Sequence, residues 1–428
     1  MTTQSSLFKR NSPARKSRRR KVLSIVAVLF IFISCFYARF DITSGFKVNV
    51  ASAEISATEV SEEQTLEEEL IEEVDKQISN LDFSALEEVV TNLSASAKEL
   101  FSSNSFMGKL KLVISGEYAE NSQNFFASVM SILFESLKGY LPIIASIISI
   151  SILGGMIANL KPTTNGKSIG NIIHFVTYGI VIIFLGTSLL QIIKTTTSTL
   201  TTIKGTFDGI FPILLTLLTA LGGTVSVGIY QPAIALISNI IITFITYILL
   251  PLFIFSIIFS IVGNLSNNLN LNKFVSFLQS TFKWTIGLCF TIFLGFVSIQ
   301  GIMAGAVDGL SIRTAKYAIK SYVPIVGGYV SDGLSIIMAS SSLIKNAIGG
   351  VGLFLLLASI ISPVINLVIF NLSLKFMAGI IEPIGDKKTS SFISDISKSL
   401  NLLVALLVAI SFMYLVLTGL IMCSANLI

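Results

Sequence analysis

From Gly139 to the end of the chain, one apolar stretch follows another, and each is longer than a soluble core can use. Seven such segments can be marked, at about 139–160, 169–193, 206–229, 231–262, 284–307, 348–380 and 400–425. Backbone groups in hydrocarbon must bond within their own segment, so each is expected to be a helix. The composition agrees. Charged residues make up 12% of the chain and hydrophobic ones 53%, with a mean hydropathy of +0.83, against about 25% charged in an ordinary soluble domain. These values exclude a disordered chain and speak against a cytosolic globular enzyme. The expected fold class is all-α: a multi-pass helical membrane protein with an N-terminal signal segment and a short exported acidic helical region.

Charge is strongly segregated. Eight Lys and Arg residues fall within 9–21, and fourteen of the 24 acidic residues fall within 54–99. From Gly139 onward six acidic and fourteen basic residues remain. The basic run Arg18-Arg19-Arg20-Lys21 precedes the apolar stretch Val22 to Tyr37, which is how a secretory signal begins. Ala51-Ser52-Ala53 before Glu54 offers a small-residue cleavage site, with Ala53 and Glu54 flanking the cut. The distance from the apolar stretch is long for a cleaved signal, so an uncleaved signal-anchor fits as well. Cys35 reads as one more residue of that stretch. The domains expected are 1–53 (signal peptide or signal-anchor), 54–125 (exported acidic helical region) and 126–428 (polytopic membrane domain).

Within the acidic region Leu66, Leu70, Val74, Ile78 and Leu81 recur every three or four residues, as do Leu86, Val89, Val90, Leu93 and Leu100. That is a helical apolar stripe with glutamates on the opposite face. Ser84-Ala85-Leu86-Glu87 reads as a capping box. The segment reads either as a solvated helical hairpin with a charged face or as a docking surface for a partner outside the membrane, and so short a piece must pack its stripe on something.

Seven crossings from an exported start put the C-terminus in the cytoplasm. Arg313, Lys316 and Lys320 in the loop after the fifth crossing, and Lys161 and Lys167, then satisfy the preference for basic residues inside. Lys387, Lys388 and Lys398 fall on the wrong side. Trp284 beside Lys283 suits an interfacial anchor. Pro212, Pro232, Pro251, Pro324 and Pro363 suggest broken helices, and the mixed polarity of 321–344 suggests a re-entrant or interfacial segment. Asp308-Gly309-Leu310-Ser311-Ile312 recurs almost verbatim as Asp332-Gly333-Leu334-Ser335-Ile336, but short apolar matches are common in so biased a composition.

Asp208, Asp308, Asp332, Lys345 and Glu382 lie in or beside apolar sequence and are the intramembrane polar candidates. They read either as a polar path, with Asp332 and Lys345 as an ion pair, or as helix-end residues at headgroup level. Gly301, Gly305 and Gly309 form an every-fourth-residue face suited to close helix packing. No catalytic constellation emerges. Asn165-Gly166-Lys167-Ser168 lacks the first glycine of a phosphate loop, and Gly223-Thr224-Val225-Ser226-Val227-Gly228 has one residue too many for a nucleophile elbow. Cys35, Cys289 and Cys423 are dispersed, and the single His174 reads as a packing residue, so no metal or cofactor is expected. The basic N-terminus lacks interleaved aromatics, so nucleic-acid binding is not expected.

A set of strings in the second half carries a resemblance. They are Val307-Asp308-Gly309, Lys316-Tyr317, Tyr322-Val323-Pro324-Ile325-Val326-Gly327-Gly328, Ser331-Asp332-Gly333, Leu343-Ile344-Lys345-Asn346-Ala347-Ile348-Gly349 with Gly352, Pro363-Val364-Ile365-Asn366-Leu367 and Glu382-Pro383-Ile384-Gly385-Asp386. Together they resemble the stage III sporulation protein AE family. The positions singled out by the motif are Pro324, Gly327, Gly328, Pro363 and Pro383. The resemblance implies a non-enzymatic membrane subunit of a channel-like complex between mother cell and forespore, in the mother-cell membrane around the forespore. Its partners would be the other membrane proteins of that operon, the lipid bilayer and, through the complex, a forespore membrane protein. From the residues alone, a secondary transporter with a broken-helix substrate site is the alternative.

Overall fold

The computed structural model describes residues 69–116, 122–159, 166–265, 271–322, 326–385 and 387–424; the side chains of 122–124, 158–159, 166–171 and 301–332 are outside the description. The chain divides into two units, Met1–Glu63 and Gln64–Ile428. The first lies wholly outside the described residues, and with it the basic run, the apolar 22–37 stretch, Ala53 and Glu54.

Every regular element described is helical. Four short helices come first: α1 over 69–79, α2 (Ser84–Thr91), α3 (Ala95–Phe101) and α4 (Phe106–Ile114). Seven longer ones follow: α5 (Ser122–Asn159), α6 (Gly166–Ala220), α7 (Thr224–Phe244), α8 (Leu250–Leu265), α9 (Asn272–Tyr322), α10 (Val326–Ile384) and α11 (Lys387–Cys423). A π-helical turn, Ile245–Leu249, joins α7 to α8. Its cause is local. Pro251 has no N–H to give the carbonyl four residues back, and the widened turn lets Leu250 N–H reach Ile245 instead.

The short helices end where the sequence provides caps. Ser94 and Ser105 accept from the backbone N–H groups of Ala97 (3.3 Å) and Gly108 (3.1 Å), starting α3 and α4. Ser102 stops α3 in the left-handed conformation (φ 56°). The capping box expected at Ser84 does not form. Phe83 occupies the N-cap, and the Ser84 backbone is held by Asp82 (2.9 Å).

Among the described residues six helices or helix pairs are long and apolar enough to cross a membrane: Phe125–Ile157, Ile172–Ala220, Thr224–Leu265, Asn272–Gln300, Gly333–Ile384 and Lys387–Cys423. The expected segments 169–193 and 206–229 are not separate spans. The first and most of the second belong to one 55-residue helix, α6, about 80 Å long. The true break is the tight turn Leu221–Gly223, where Gly222 has φ 82° and only a glycine is unstrained. The prolines do not break the helices either: Pro212, Pro232 and Pro363 all sit inside continuous α6, α7 and α10. Of the 321–344 stretch, residues 326–344 open the 59-residue α10. Arg313, Lys316 and Lys320 fall within α9, not in a loop.

α10 and α11 form the most extensive pair and run antiparallel, with Asn371 against Ser397 and Gly349 against Met422. Their turn marks one end of the bundle. There a Cβ on Gly155 of α5 would lie 2.7 Å from Gly385 Cα, Tyr178 of α6 donates to the Ile261 carbonyl of α8 (2.9 Å), and its ring meets Phe392 of α11 (5.1 Å). At the other end, Gly349 faces Met422 and Gly352 faces Ile210. Six alternating helices return Ser424 to the end at which α1–α4 pack, not to the opposite one as seven crossings required. Lys273 then shares one end with Lys387 and Lys388, while Arg313, Lys316 and Lys320 fall toward the far end of α9.

Candidate functional site

The apolar stripe of the acidic segment is buried within the chain. Leu86 and Val90 have no exposure, and Val74, Ile78, Leu93 and Leu100 are also buried. Leu86 packs on Gly209 of α6, where a Cβ would come within 2.8 Å of its Cδ2; Val89 covers Gly205. Phe101 of α3 and Phe125 of α5 both meet Phe354 of α10, each at 6.1 Å. Gln77 of α1 grips α10 twice: its Nε2 donates to Ser340 (2.9 Å), and its Oε1 accepts from Ser341 (2.8 Å). Glu69, Glu72, Asp75, Asp82 and Glu88 remain exposed, while Glu99, also exposed, accepts from Ser128 of α5 (3.3 Å). The buried part of the stripe thus packs within the chain, and the acidic side chains stay exposed.

Two charges organise this junction. Glu87 caps α4 from a distance: Oε1 accepts from Ser105 Oγ (2.8 Å) and Met107 N (2.9 Å), and Oε2 from Phe106 N (3.0 Å). A carboxylate there also meets the positive end of the helix. Lys109 is 2% exposed, donates to the Phe101 carbonyl (2.7 Å), and lies over the Phe354 and Phe101 rings at 4.7 and 5.5 Å. Burial lowers its pKa from 10.5 to about 8. Sequence reasoning missed both. Nothing in the linear pattern marks Lys109, and Glu87 reads as part of a capping box on its own helix.

Deeper in the bundle a polar seam links five helices. Ser136 of α5 donates to Asn366 of α10 (2.5 Å). Asn371 of α10 accepts from Ser397 (2.6 Å) and donates to Asn401 (2.7 Å), both on α11. On the other flank of α11, Ser399 meets Ser256 of α8 (2.9 Å) and Gln279 of α9 (3.0 Å). At the far end Lys345, with no exposure, donates to the Ser424 carbonyl, and Ser424 Oγ donates to Tyr230 Oη (3.1 Å).

A family model, stage III sporulation protein AE, matches residues 104–425. The chain belongs to that family. The stage III sporulation protein AE of Bacillus subtilis (strain 168) is 25% identical over 320 residues, covering 75% of this chain and 80% of the relative. No solved structure matches. The family match begins at α4, so α1–α3 stand outside it although they pack on helices within it.

Of the family-string positions, Gly349, Gly352 and Gly385 are packing points, and Pro363 and Pro383 lie within α10. Pro324 lies outside the described residues, and Gly327 and Gly328 are described only as α10 backbone. Asp308 and Asp332 sit on α9 and α10, with their side chains outside the description, as are the surroundings of Gly301, Gly305 and Gly309. Asp208 is exposed and paired with Lys204 one turn away. Glu382 is exposed near the end of α10. Asp208, near the Gly352 end of the bundle, and Glu382, near the Gly385 end, lie apart. The close helix approaches that are described use Gly154, Gly155, Gly209, Gly349, Gly352 and Gly385 instead. His174 stacks near Tyr178 (5.7 Å), and no group of three potential metal ligands occurs among the described residues.

Proposed function

We propose that this protein is a non-enzymatic integral membrane subunit of a sporulation channel complex, serving as a platform that holds a rigid acidic helical unit outside the bilayer. The observation that carries the reading is the junction: α2 packs on α6, and α3 and α4 pack on α10, and these are the two longest helices. A helix needs about twenty residues to cross hydrocarbon, and these have 55 and 59. The excess length of α6 is polar on its outer face, where Lys194, Thr197, Ser198, Thr201, Asp208, Thr216 and Thr219 are exposed. That stretch belongs beyond the lipid, beside α1–α4. The outward acidic face then offers a charged surface to basic partners, the other membrane proteins of the complex in the mother-cell membrane around the forespore.

A secondary transporter would need an open polar site at interrupted helices. Helices α6, α7 and α10 run on through Pro212, Pro232 and Pro363, and the seam hydrogen bonds close on one another, which is how polar residues glue membrane helices. The test is affinity isolation of the tagged chain from sporulating cells. Recovery of other stage III membrane proteins is expected, and charge reversal at Glu72, Asp75 and Glu88 should reduce it without changing the level of the chain. Recovery of none of them would overturn the reading.

A further inference from the structure

Helices α6 and α9 both pack on α11 and run in its direction, so α11 is a ruler for their heights. On α6, Tyr178 meets Phe392 (5.1 Å) and Phe207 meets Tyr414 (5.1 Å). On α9, Gln279 donates to Ser399 (3.0 Å) and Phe290 meets Phe412 (5.7 Å). Between those contacts, Lys194 of α6 and Lys283 of α9 both fall near the height of Val404.

At that height the two helices exchange character. Before it, α6 has no Asp, Glu, Lys or Arg from Ser168 to Ile193, and Phe175, Ile183 and Leu190 are exposed. Beyond it, Lys194, Thr197, Thr201 and Asp208 are exposed at helical spacing, and α2 packs on Gly205 and Gly209 with Glu88 exposed. Helix α9 does the reverse. Before that height Lys273, Ser276, Ser280 and Lys283 are exposed at helical spacing, with Phe277 beside them. Beyond it there is no Asp, Glu, Lys or Arg from Trp284 to Val307, and Leu288, Ile292 and Ile299 are exposed. The exposed hydroxyls of that stretch, Thr291 and Ser298, donate to their own helix at Gly287 (2.8 Å) and Leu294 (2.8 Å). The neighbouring α7, placed by Ser238 against Tyr414 (3.0 Å), exposes Leu236 and Ile240 there. Each uncharged run exceeds the roughly twenty residues that cross hydrocarbon. One run ends at the height where the other begins. Lipid against both runs therefore leaves water against both polar faces, because exposed ammonium groups are costly in hydrocarbon.

We infer that two water-filled vestibules, open to small hydrophilic solutes, enter this protein from opposite faces of the membrane and reach the same height, one along α6 as far as Lys194 and the other along α9 as far as Lys283. The inference rests on the membrane-subunit reading, in which the end carrying α1–α4 is exported. The barrier between the two aqueous sides at this height is then the width of the bundle, not the length of a crossing helix. The polar seam at Ser399 and Asn401 lies within about two turns of it.

The test uses the full chain, its own cysteines replaced by serine, in membrane vesicles of known orientation. Single cysteines are introduced and an impermeant maleimide is added to one side at a time. The reagent needs a thiolate, and hence water. Thr201→Cys should label from the same side as Ser103→Cys, and Ser280→Cys from the same side as Lys387→Cys. Ile183→Cys and Ile292→Cys, on the two apolar runs, should label from neither side. Thr197→Cys and Ser276→Cys repeat the comparison one turn away. Absence of labelling at both α6 polar positions, or at both α9 polar positions, overturns the inference, because lipid or protein then covers that face. Labelling at Ile183→Cys or Ile292→Cys overturns it as well, because that apolar run then lies in water. So does labelling of Thr201→Cys and Ser280→Cys from one common side. None of these results bears on the recovery of other stage III proteins, so the two readings fail separately.

Discussion

At the scale of single residues, space and charge decide what each position tolerates. Gly155 and Gly179 both lie inside long helices, yet a Cβ on Gly155 meets the Gly385 backbone at 2.7 Å, whereas one on Gly179 meets nothing within 4 Å. Gly155→Ala should therefore cost about 1–3 kcal/mol by overpacking. Gly179→Ala should be neutral or gain up to about 1 kcal/mol from helix propensity. Thermal unfolding in one detergent separates the two. Lys109 gives a pH signature. Its folded pKa of about 8 lies below the 10.5 of the unfolded chain. Below pH 8 both states are protonated and the full burial penalty is present. Between about 8 and 10.5 the unfolded state holds more protons, so the contribution of this residue to stability rises with pH. Lys109→Met should flatten that rise, measured as the slope of melting temperature against pH relative to the parent chain.

At the scale of elements, the short helices depend on one another more than on their own propensities. Helices α2, α3 and α4 have eight, seven and nine residues, too few to be stable alone. Glu87 shows the dependence, because it serves as the cap of α4 from a position on α2. Glu87→Ala should cost about 1–2 kcal/mol, as loss of a helix cap does. Hydrogen exchange at the Phe106 and Met107 amides should quicken while exchange in α2 changes less. Truncating Leu86, which has no exposure, to Ala opens a cavity against Gly209 and should cost about 2–5 kcal/mol. Faster proteolysis of 92–105, before any change in α10 or α11, is the expected sign that the unit has loosened from α6.

At the scale of the whole molecule, six alternating helices make a prediction about sidedness. Cysteines introduced at Asn165 and Lys387, in a chain whose own cysteines are replaced by serine, should react with an impermeant maleimide from one side of the membrane. Those at Ser103 and Thr224 should react from the other. Labelling of Lys387 together with Ser103 would contradict the alternation. The same arrangement explains why the seam can be polar. Asn371, Ser397, Ser399 and Gln279 satisfy one another between helices, so none presents a bare dipole to lipid.

The linear pattern was enough for the all-helical class, for the amphipathic stripe from Val74 to Leu100, and for the family, because each depends on periodicity or on strings of neighbouring residues. It was not enough for the number of spans. Hydropathy dips at the threonine run 195–202, and a dip looks like a loop until the backbone is seen to stay helical through it. Nor could it choose among thirty glycines those on which helices close. Gly155 and Gly385 are 230 positions apart, and only the packed bundle brings them together. The turn at Gly222, the reach of Glu87 to α4 and the burial of Lys109 are likewise distances through space. Local composition fixes which residues seek apolar surroundings, while the choice of neighbour belongs to the tertiary structure.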